Sequence, residues 1–560
     1  MGSIYEKRPW LSSYPDWISH DFEITSATAI DDFIKTACSR PDAPAVYYFD
    51  HVISYGEINA LSEVLAAAFL DFGLETGDRI IVHLQNIPQF LIATYAAWKL
   101  GLIVVPLNPM YKEQELSYFC QDSGAKLFLT HDEIANALDL SFLKQTKVKL
   151  VITTSALDLL PPDSSPVETL KNVKRPEVMG CLKFLDILKN YAGKALDYCE
   201  VTPDTVAYLT YTSGTTGQPK GAMNTHGNIA FNARVYRAVM RIGSDDVVLG
   251  VAPLFHVTGE VAHSAIAALA GIPLTLFYRF DPGEALRLIE RWKVTMTVAS
   301  ITVYIAMMNH PDIKKRRLES FVKAYSGGAP VSKALVDQFE SLTGLRLHNV
   351  YGMTETNSPS HIVPLGEKAP VDPESGALSV GLPVPNSVSK IVDLEDRSRE
   401  MAPGEVGEIA NRGPMIIPGY WNKPEETAYA IEDGWLFTGD VGKMDEQGWF
   451  YVVDRKKDLI IASGYKVWPR DVEDVLYQHH AVREAAVIGV SDSYRGETVK
   501  AFVALKEGSE GTVTADEIIS FCKSRMAAYK YPRQVEFVTA IPKTLTGKFL
   551  RKDLREDKKA

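Results

Sequence analysis

Residues 55–84 read YGEINALSEVLAAAFLDFGLETGDRIIVHL, and their pattern decides the fold class. Ile58, Leu61, Leu65, Ala68, Phe69 and Phe72 fall on one face at helical spacing, which predicts a helix over 55–73. The run from Asp78 to Leu84 behind Gly77 is short and β-branched, the pattern of a strand. Downstream the pattern repeats, with a helix over 88–100, a strand at 102–106, a helix over 112–122, a strand at 126–129 and further alternation between 247 and 350. Such alternation predicts an α/β fold with two layered, largely parallel sheets. From about 376 to 450, short strands such as Val388–Val392 and Glu405–Ala410 alternate with Gly and Pro turns, the texture of a β-rich subdomain. After Asp454 the cluster Arg455-Lys456-Lys457 precedes a compact strand and helix series. The expected division is a large N-terminal domain over 1–454 and a small mobile α+β domain over 455–560.

The totals agree with more than one core: 560 residues, 46% hydrophobic and 23% charged. Lys+Arg at 59 against Asp+Glu at 70 leaves a net charge of -11, which predicts no nucleic acid partner and no attraction to an anionic membrane. Cys38, Cys120, Cys181, Cys199 and Cys522 are scattered and odd in number, without a Cys-x-x-Cys pair, so a reducing, cytoplasmic setting is expected. Glu6, Lys7 and Arg8 stand where a secretory signal would turn apolar, and Glu6 replaces the hydroxyl residue of a myristoylation signal. The apolar stretch from Ala262 to Tyr278 is broken by His263, Gly271 and Pro273, so it reads as a core segment and not a membrane span.

Chemistry enters at Thr212 to Gly221, TSGTTGQPKG, directly after a predicted strand. Glycines let backbone N–H groups converge on an anion, hydroxyls add donors, and Lys220 adds charge, so the loop suits a phosphate. It is not a Walker A loop, since no Gly-Lys pair in the chain is followed by Ser or Thr.

Further motifs follow in order: SGGAP at 326–330, YGMTE at 351–355, TGD at 438–440, DRKKD at 454–458 and PKTLTGK at 542–548. Together with the loop they resemble the acyl-adenylate-forming superfamily of acyl-CoA synthetases, firefly luciferases and peptide-synthetase adenylation domains. The resemblance spans nearly the whole chain and implies ATP, Mg²⁺ and coenzyme A. It implies a phosphate loop of Thr212, Ser213, Gly214, Thr215, Thr216, Gly217 and Lys220, with the metal on Thr212 and Glu355. A single carboxylate is enough there, because Mg²⁺ is held by one or two carboxylates plus substrate phosphates. Gly328, Ala329 and Pro330 would face Tyr351 across the adenine, with Gly352, Met353 and Thr354 continuing the second wall. Asp440, read as a turn residue behind Gly439, would accept the ribose hydroxyls, and Arg455 would donate to the sugar or a phosphate. Lys548 becomes the catalytic lysine of adenylate formation; taken alone it would be a solvated lysine. Lys457 is the hinge candidate, and Ser463, Gly464 and Tyr465 would line the pantetheine channel once the small domain has rotated.

Within the superfamily, PLFHVTGEV at 253–261 lacks the aspartate that holds an amino acid's ammonium, and Ile461 stands where luciferases and plant aryl ligases carry a lysine. DRKKDLIIASGYKVWP and PKTLTGKFLRK look most like bacterial medium- and long-chain fatty acyl-CoA ligases. His256 is either a gate at the mouth of the acid pocket, and so counted with the catalytic set, or a satisfied core histidine. Gly259, Ala262 and Ser264 either leave room for an alkyl chain or pack helices closely. Glu260 and His263 either face away or meet a polar group on an aryl or hydroxylated acid. The expected enzyme is an ATP-dependent carboxylic acid:CoA ligase, probed against aryl or hydroxy acid ligation, a luciferase-like oxidase and an inactive binding protein. Its partners would be the acid, ATP and CoA, with a homodimer admitted as assembly.

Overall fold

A computed structural model describes residues 3–161, 168–194, 196, 198–212, 218–329, 331–455, 458–462, 465–492, 496–543 and 549–556. The stretch 55–84 folds as a helix, Tyr55–Asp71, and a strand, Arg79–His83. The helix starts at a capping box: Glu57 N donates to Ser54 Oγ at 3.2 Å, and Ser54 N donates to the Glu57 carboxylate at 2.7 Å. The helix Pro88–Trp98 is buried on every face, the strand Ile103–Pro106 follows, and the helix Glu113–Ser123 ends on Gly124 at φ 61. Alternation of this kind places parallel strands inside and helices outside.

Seven strands make one sheet, in the order Leu182–Lys183, Leu150–Thr154, Leu127–His131, Arg79–His83, Ile103–Pro106, Val206–Thr212 and Lys220–Thr225. All pairings are parallel except the last, a hairpin. A second sheet has nine strands, with a parallel centre that includes Met296–Ala299, Lys323–Ser326 and Leu347–Met353, and antiparallel strands at both ends. One continuous apolar core joins the two sheets and the helices between them. The expected β-rich part is a five-stranded antiparallel sheet that contains Val388–Val392, Gly407–Arg412 and Trp435–Met444.

The C-terminal domain builds a core of its own from residues including Ile460, Val467, Leu476, Val487, Val503 and Ile518. Its sheet runs Tyr465–Val467, Ile460–Ala462, Gly496–Leu505 and Val482–Asp492, with Gln534–Phe537 added in parallel. The segment from Ala262 to Tyr278 is interior, as expected, and among the described residues no helix is long and apolar enough to cross a membrane. All five cysteines are free thiols.

Candidate functional site

The hairpin of Val206–Thr212 and Lys220–Thr225 sets the position of the expected phosphate loop. Thr212 pairs with Lys220 and Tyr211 with Gly221, so the strands are in register up to the tip. Ser213, Gly214, Thr215, Thr216 and Gly217 lie outside the described residues.

SGGAP and YGMTE leave adjacent parallel strands. Lys323–Ser326 and Leu347–Met353 pair with Ser326 opposite Asn349, so Gly328 and Ala329 follow one strand beside the last residues of the other, which include Tyr351. Pro330 lies outside the described residues. Ligands of open α/β sheets bind at such carboxyl ends. Gly352 is required there, because a Cβ at this position would stand 1.5 Å from the Ser358 carbonyl oxygen. The chain then reverses through Asn357 at φ 50 into the antiparallel strand Ser358–Ile362. Within the reversal, Thr354–Thr356 is a single 3-10 turn, closed by Met353 N donating to Thr356 Oγ1 at 2.9 Å.

Asparagines tie this turn to the strand Lys220–Thr225, the helix His226–Val239 and the segment 414–416. Asn224 Nδ2 donates to Thr354 O at 2.9 Å and to Asn357 Oδ1 at 2.7 Å. Asn232 Nδ2 lies 2.8 Å from Thr356 O and 2.7 Å from Asn357 O. Asn357 Nδ2 donates to Met415 O at 2.9 Å, and Asn228 Nδ2 to Pro414 O at 2.7 Å. Sequence reasoning missed all four. A signal existed: Asn228 and Asn232 are one turn apart on the helix His226–Val239, so they share its buried face.

Glu355 is 6% exposed and accepts the Tyr420 phenol on Oε1 at 2.7 Å. Among the described residues its Oε2 accepts no hydrogen bond. Burial, and then the Glu355 carboxylate, raises the Tyr420 phenol far above its ordinary pKa, so it remains a donor. Lys220 Nζ sits 4.5 Å from the centroid of the same ring. One buried carboxylate with an oxygen to spare, near Lys220 at the end of the hairpin, fits a magnesium ion that arrives on a triphosphate. Among the described residues no group of three His, Cys, Asp or Glu side chains forms a metal site independent of a substrate.

Tyr351 is half-buried and donates to Asp440 Oδ2 at 2.8 Å, which joins two of the expected nucleotide residues. Asp440 is not in a turn, as its place behind Gly439 suggested. It lies inside the strand Trp435–Met444 opposite Arg455, and Gly439 at φ 71 is an irregularity within that strand. A glycine with positive φ reads as a turn in sequence, yet paired neighbours carry the strand through it.

Residues 258–265 form a π-helix, a rare form frequent at functional sites. Gly259 is there for close packing, since a Cβ would lie 2.1 Å from Pro253 O. Glu260 and His263 point into the protein. Thr210 Oγ1 reaches both Glu260 carboxyl oxygens at 3.0 Å, and burial pushes the Glu260 pKa up to about 8. His263 Nε2 donates to Val298 O at 3.0 Å, while burial lowers its pKa to about 4. His256 is partly buried just before this helix, with Nδ1 accepting Thr258 N at 3.3 Å. The space beside Ser264, Ala267 and Ala268 amounts to about 10 Å³, no more than a water site.

In the C-terminal domain Lys548, Lys457, Ser463 and Gly464 lie outside the described residues. Tyr465 begins a short strand and pairs with Ala462. The flanks of Lys548 are well tied. Lys543 bridges to Phe549, Leu550 N donates to Pro542 O at 2.8 Å, and Lys543 pairs with Glu484. Arg551 makes two 2.9 Å bonds to Glu473 and a 3.3 Å bond to Asp458, the last residue of DRKKD. The DRKKD and PKTLTGKFLRK segments thus meet through Arg551.

Comparison with known proteins places this architecture. The AMP-binding enzyme family matches residues 33–421, and the AMP-binding enzyme C-terminal domain matches 471–548. The chain is 38% identical to a long-chain-fatty-acid–CoA ligase of Bacillus subtilis, over 99% of each chain. It is 33% identical to the ligase of that name from Salmonella typhimurium, over 98% of each. The solved anthranilate CoA ligase AuaEII, in complex with anthranoyl-AMP, matches with a TM-score of 0.83 at 26% identity, covering 97% of this chain and 98% of that one. The chain belongs to the AMP-binding enzyme family, as an ATP-dependent, AMP-forming acyl-CoA ligase.

Proposed function

We propose that this ligase activates a long-chain fatty acid. The acid carboxylate attacks the α-phosphate of ATP and expels pyrophosphate; the CoA thiol then attacks the acyl carbonyl and expels AMP. The observation that carries the nucleotide half is the pairing of Tyr351 with Asp440 and of Tyr420 with Glu355, both made by residues of YGMTE. In this reading Tyr351, Gly328, Ala329 and Pro330 hold the adenine, Asp440 and Arg455 the ribose, and Thr212 to Gly217 with Lys220 the phosphates. Thr212 and Glu355 would hold Mg²⁺, which supplies charge neutralisation between the two anions. Lys548 adds a positive charge between the acid and the α-phosphate. A boundary at 454/455 with Lys457 as hinge would then replace Lys548 by Ser463, Gly464 and Tyr465 for the CoA step. We place the enzyme in the cytoplasm, and light scattering tests assembly as a homodimer.

Two things support a fatty acid over an aryl or hydroxylated one: the substrates named for the two sequence relatives, and the inward bonding of Glu260 and His263. CoA-dependent AMP release across saturated acids of rising length, cinnamate-type acids, hydroxy acids and α-amino acids tests it. The highest kcat/KM should fall on a long saturated acid. A preference for an aryl or hydroxy acid would overturn the substrate class, and one for amino acids would also overturn the reading of 253–261.

A further inference from the structure

Tyr420 lies outside every motif that pointed to the reaction, yet it touches both charged residues of the phosphate side that the structure describes. Its hydroxyl donates to Glu355 Oε1 at 2.7 Å, and its ring lies 4.5 Å beneath Lys220 Nζ. Its backbone is tied to the hairpin strand that carries Lys220. Met223 N donates to Gly419 O at 3.0 Å, Trp421 N donates to Gly221 O at 2.8 Å, and Ala222 bridges to Tyr420. On the other side Tyr420 N donates to Thr427 Oγ1 at 2.9 Å. The side chain is 6% exposed, so it cannot swing away.

These contacts have distinct consequences. A carboxylate free to rotate would share its two oxygens between ligand and solvent; a fixed phenol on Oε1 directs Oε2 to one place. A lysine paired with a carboxylate would lose most of its pull on phosphate, whereas an aromatic face steers the ammonium and leaves its charge intact. Among the described residues Lys220 has no carboxylate partner.

We propose that Tyr420 is a positioning residue for nucleotide binding, aiming Glu355 at the metal carried by the triphosphate and Lys220 at the phosphates. It rests on the proposed roles of Glu355 and Lys220. Groups that orient a metal ligand are typically worth about 10- to 100-fold in metal affinity.

The test uses the full chain and Mn²⁺ with α,β-methylene-ATP, which cannot be cleaved at the reacting bond. Binding of the complex is read by electron paramagnetic resonance and, without metal, by calorimetry in EDTA. Tyr420→Phe should weaken the Mn²⁺ complex about tenfold, while metal-free analogue binding, acid KM and unfolding midpoint stay near wild type. Tyr420→Leu, which also removes the ring, should weaken metal-free binding as well. Glu355→Gln is measured alongside. If Glu355→Gln weakens the Mn²⁺ complex and Tyr420→Phe does not, Tyr420 is no positioning residue and the Glu355 reading stands. If neither does, the Glu355 reading falls and takes the proposal with it. Equal loss of metal affinity, acid KM and stability in Tyr420→Phe would reduce Tyr420 to a packing role.

Discussion

Glu355 and Glu260 are carboxylates buried to nearly the same degree, 6% and 1% exposed, and both connect to the hairpin Val206–Thr212 and Lys220–Thr225, Glu355 through Tyr420 and Glu260 through Thr210. Their surroundings differ. Around Glu355 the backbone is caged by Asn224 and Asn232, and the side chain spends one oxygen on Tyr420. Glu260 meets a single hydroxyl, Thr210, which reaches both oxygens at 3.0 Å, with no cation bonded to it among the described residues. Burial then favours the neutral acid. Depth alone therefore does not tell two buried carboxylates apart. What distinguishes Glu355 is a backbone held by asparagines and, among the described residues, one carboxylate oxygen without a hydrogen bond.

If charge on the nucleotide side drives the chemistry, the largest loss should come from Lys548→Ala. Removing one positioned stabilising donor costs about a hundred- to a thousandfold, or roughly 2.7–4 kcal/mol. Adenylate formation should fall by that factor. Thioester formation from supplied acyl-adenylate and CoA should stay near wild type, since Lys548 is proposed to have left by then. Single-turnover assays of the two half-reactions separate the cases, and equal losses would return Lys548 to a structural or CoA-binding role.

A pair of glycines sharpens the comparison next. A Cβ on Gly352 would sit 1.5 Å from Ser358 O, and one on Gly259 would sit 2.1 Å from Pro253 O. Both alanine variants must move backbone, but in different segments. Gly352→Ala should displace Tyr351 and Glu355 and slow adenylation about a hundredfold, the scale for a misplacement near 1 Å. Gly259→Ala should raise acid KM while ATP KM holds. Should both variants alter the two KM values alike, the separation of sides is wrong.

The sides also differed in how far they could be read from sequence. The helices and strands between 55 and 131 were legible from their alternation, short β-branched runs between apolar helical stretches, even where an element such as Pro88–Trp98 is buried on every face. SGGAP and YGMTE stood out because restricted residue types stand together over a few consecutive positions, and the structure sets both on adjacent parallel strands. Tyr420 and Asn224 did not. Their contacts arise from partners 65 to 133 residues away, and a lone Tyr or Asn carries no local signal. For Asp440 the turn expectation failed, since Gly439 hides a strand under a turn signal. The helix at 258–265 was the least legible: small residues at Gly259 and Ala262 read equally as space or as packing, and only Pro253 O decides for Gly259.

The smallest effect tests the acid side of the comparison through pH. Glu260 keeps its proton up to about pH 8 in the folded chain, against 4.5 for the ordinary group. Between those values the folded state binds one proton more than the unfolded state, so stability falls as pH rises, by at most about 1.4 kcal/mol per pH unit. The loss levels off once the folded carboxyl also ionises, above about pH 8. Glu260→Gln cannot ionise and keeps an oxygen for Thr210, so this slope should vanish. All other titrating groups are shared, and subtracting the two urea-unfolding free energies at pH 6 and pH 7 isolates Glu260. The difference should shift against the wild type by up to about 1.4 kcal/mol, a factor of ten in the folding constant. A constant difference would mean that Glu260 is already ionised at pH 6. It would then have to find a cation or a ligand, and the contrast with Glu355 would disappear.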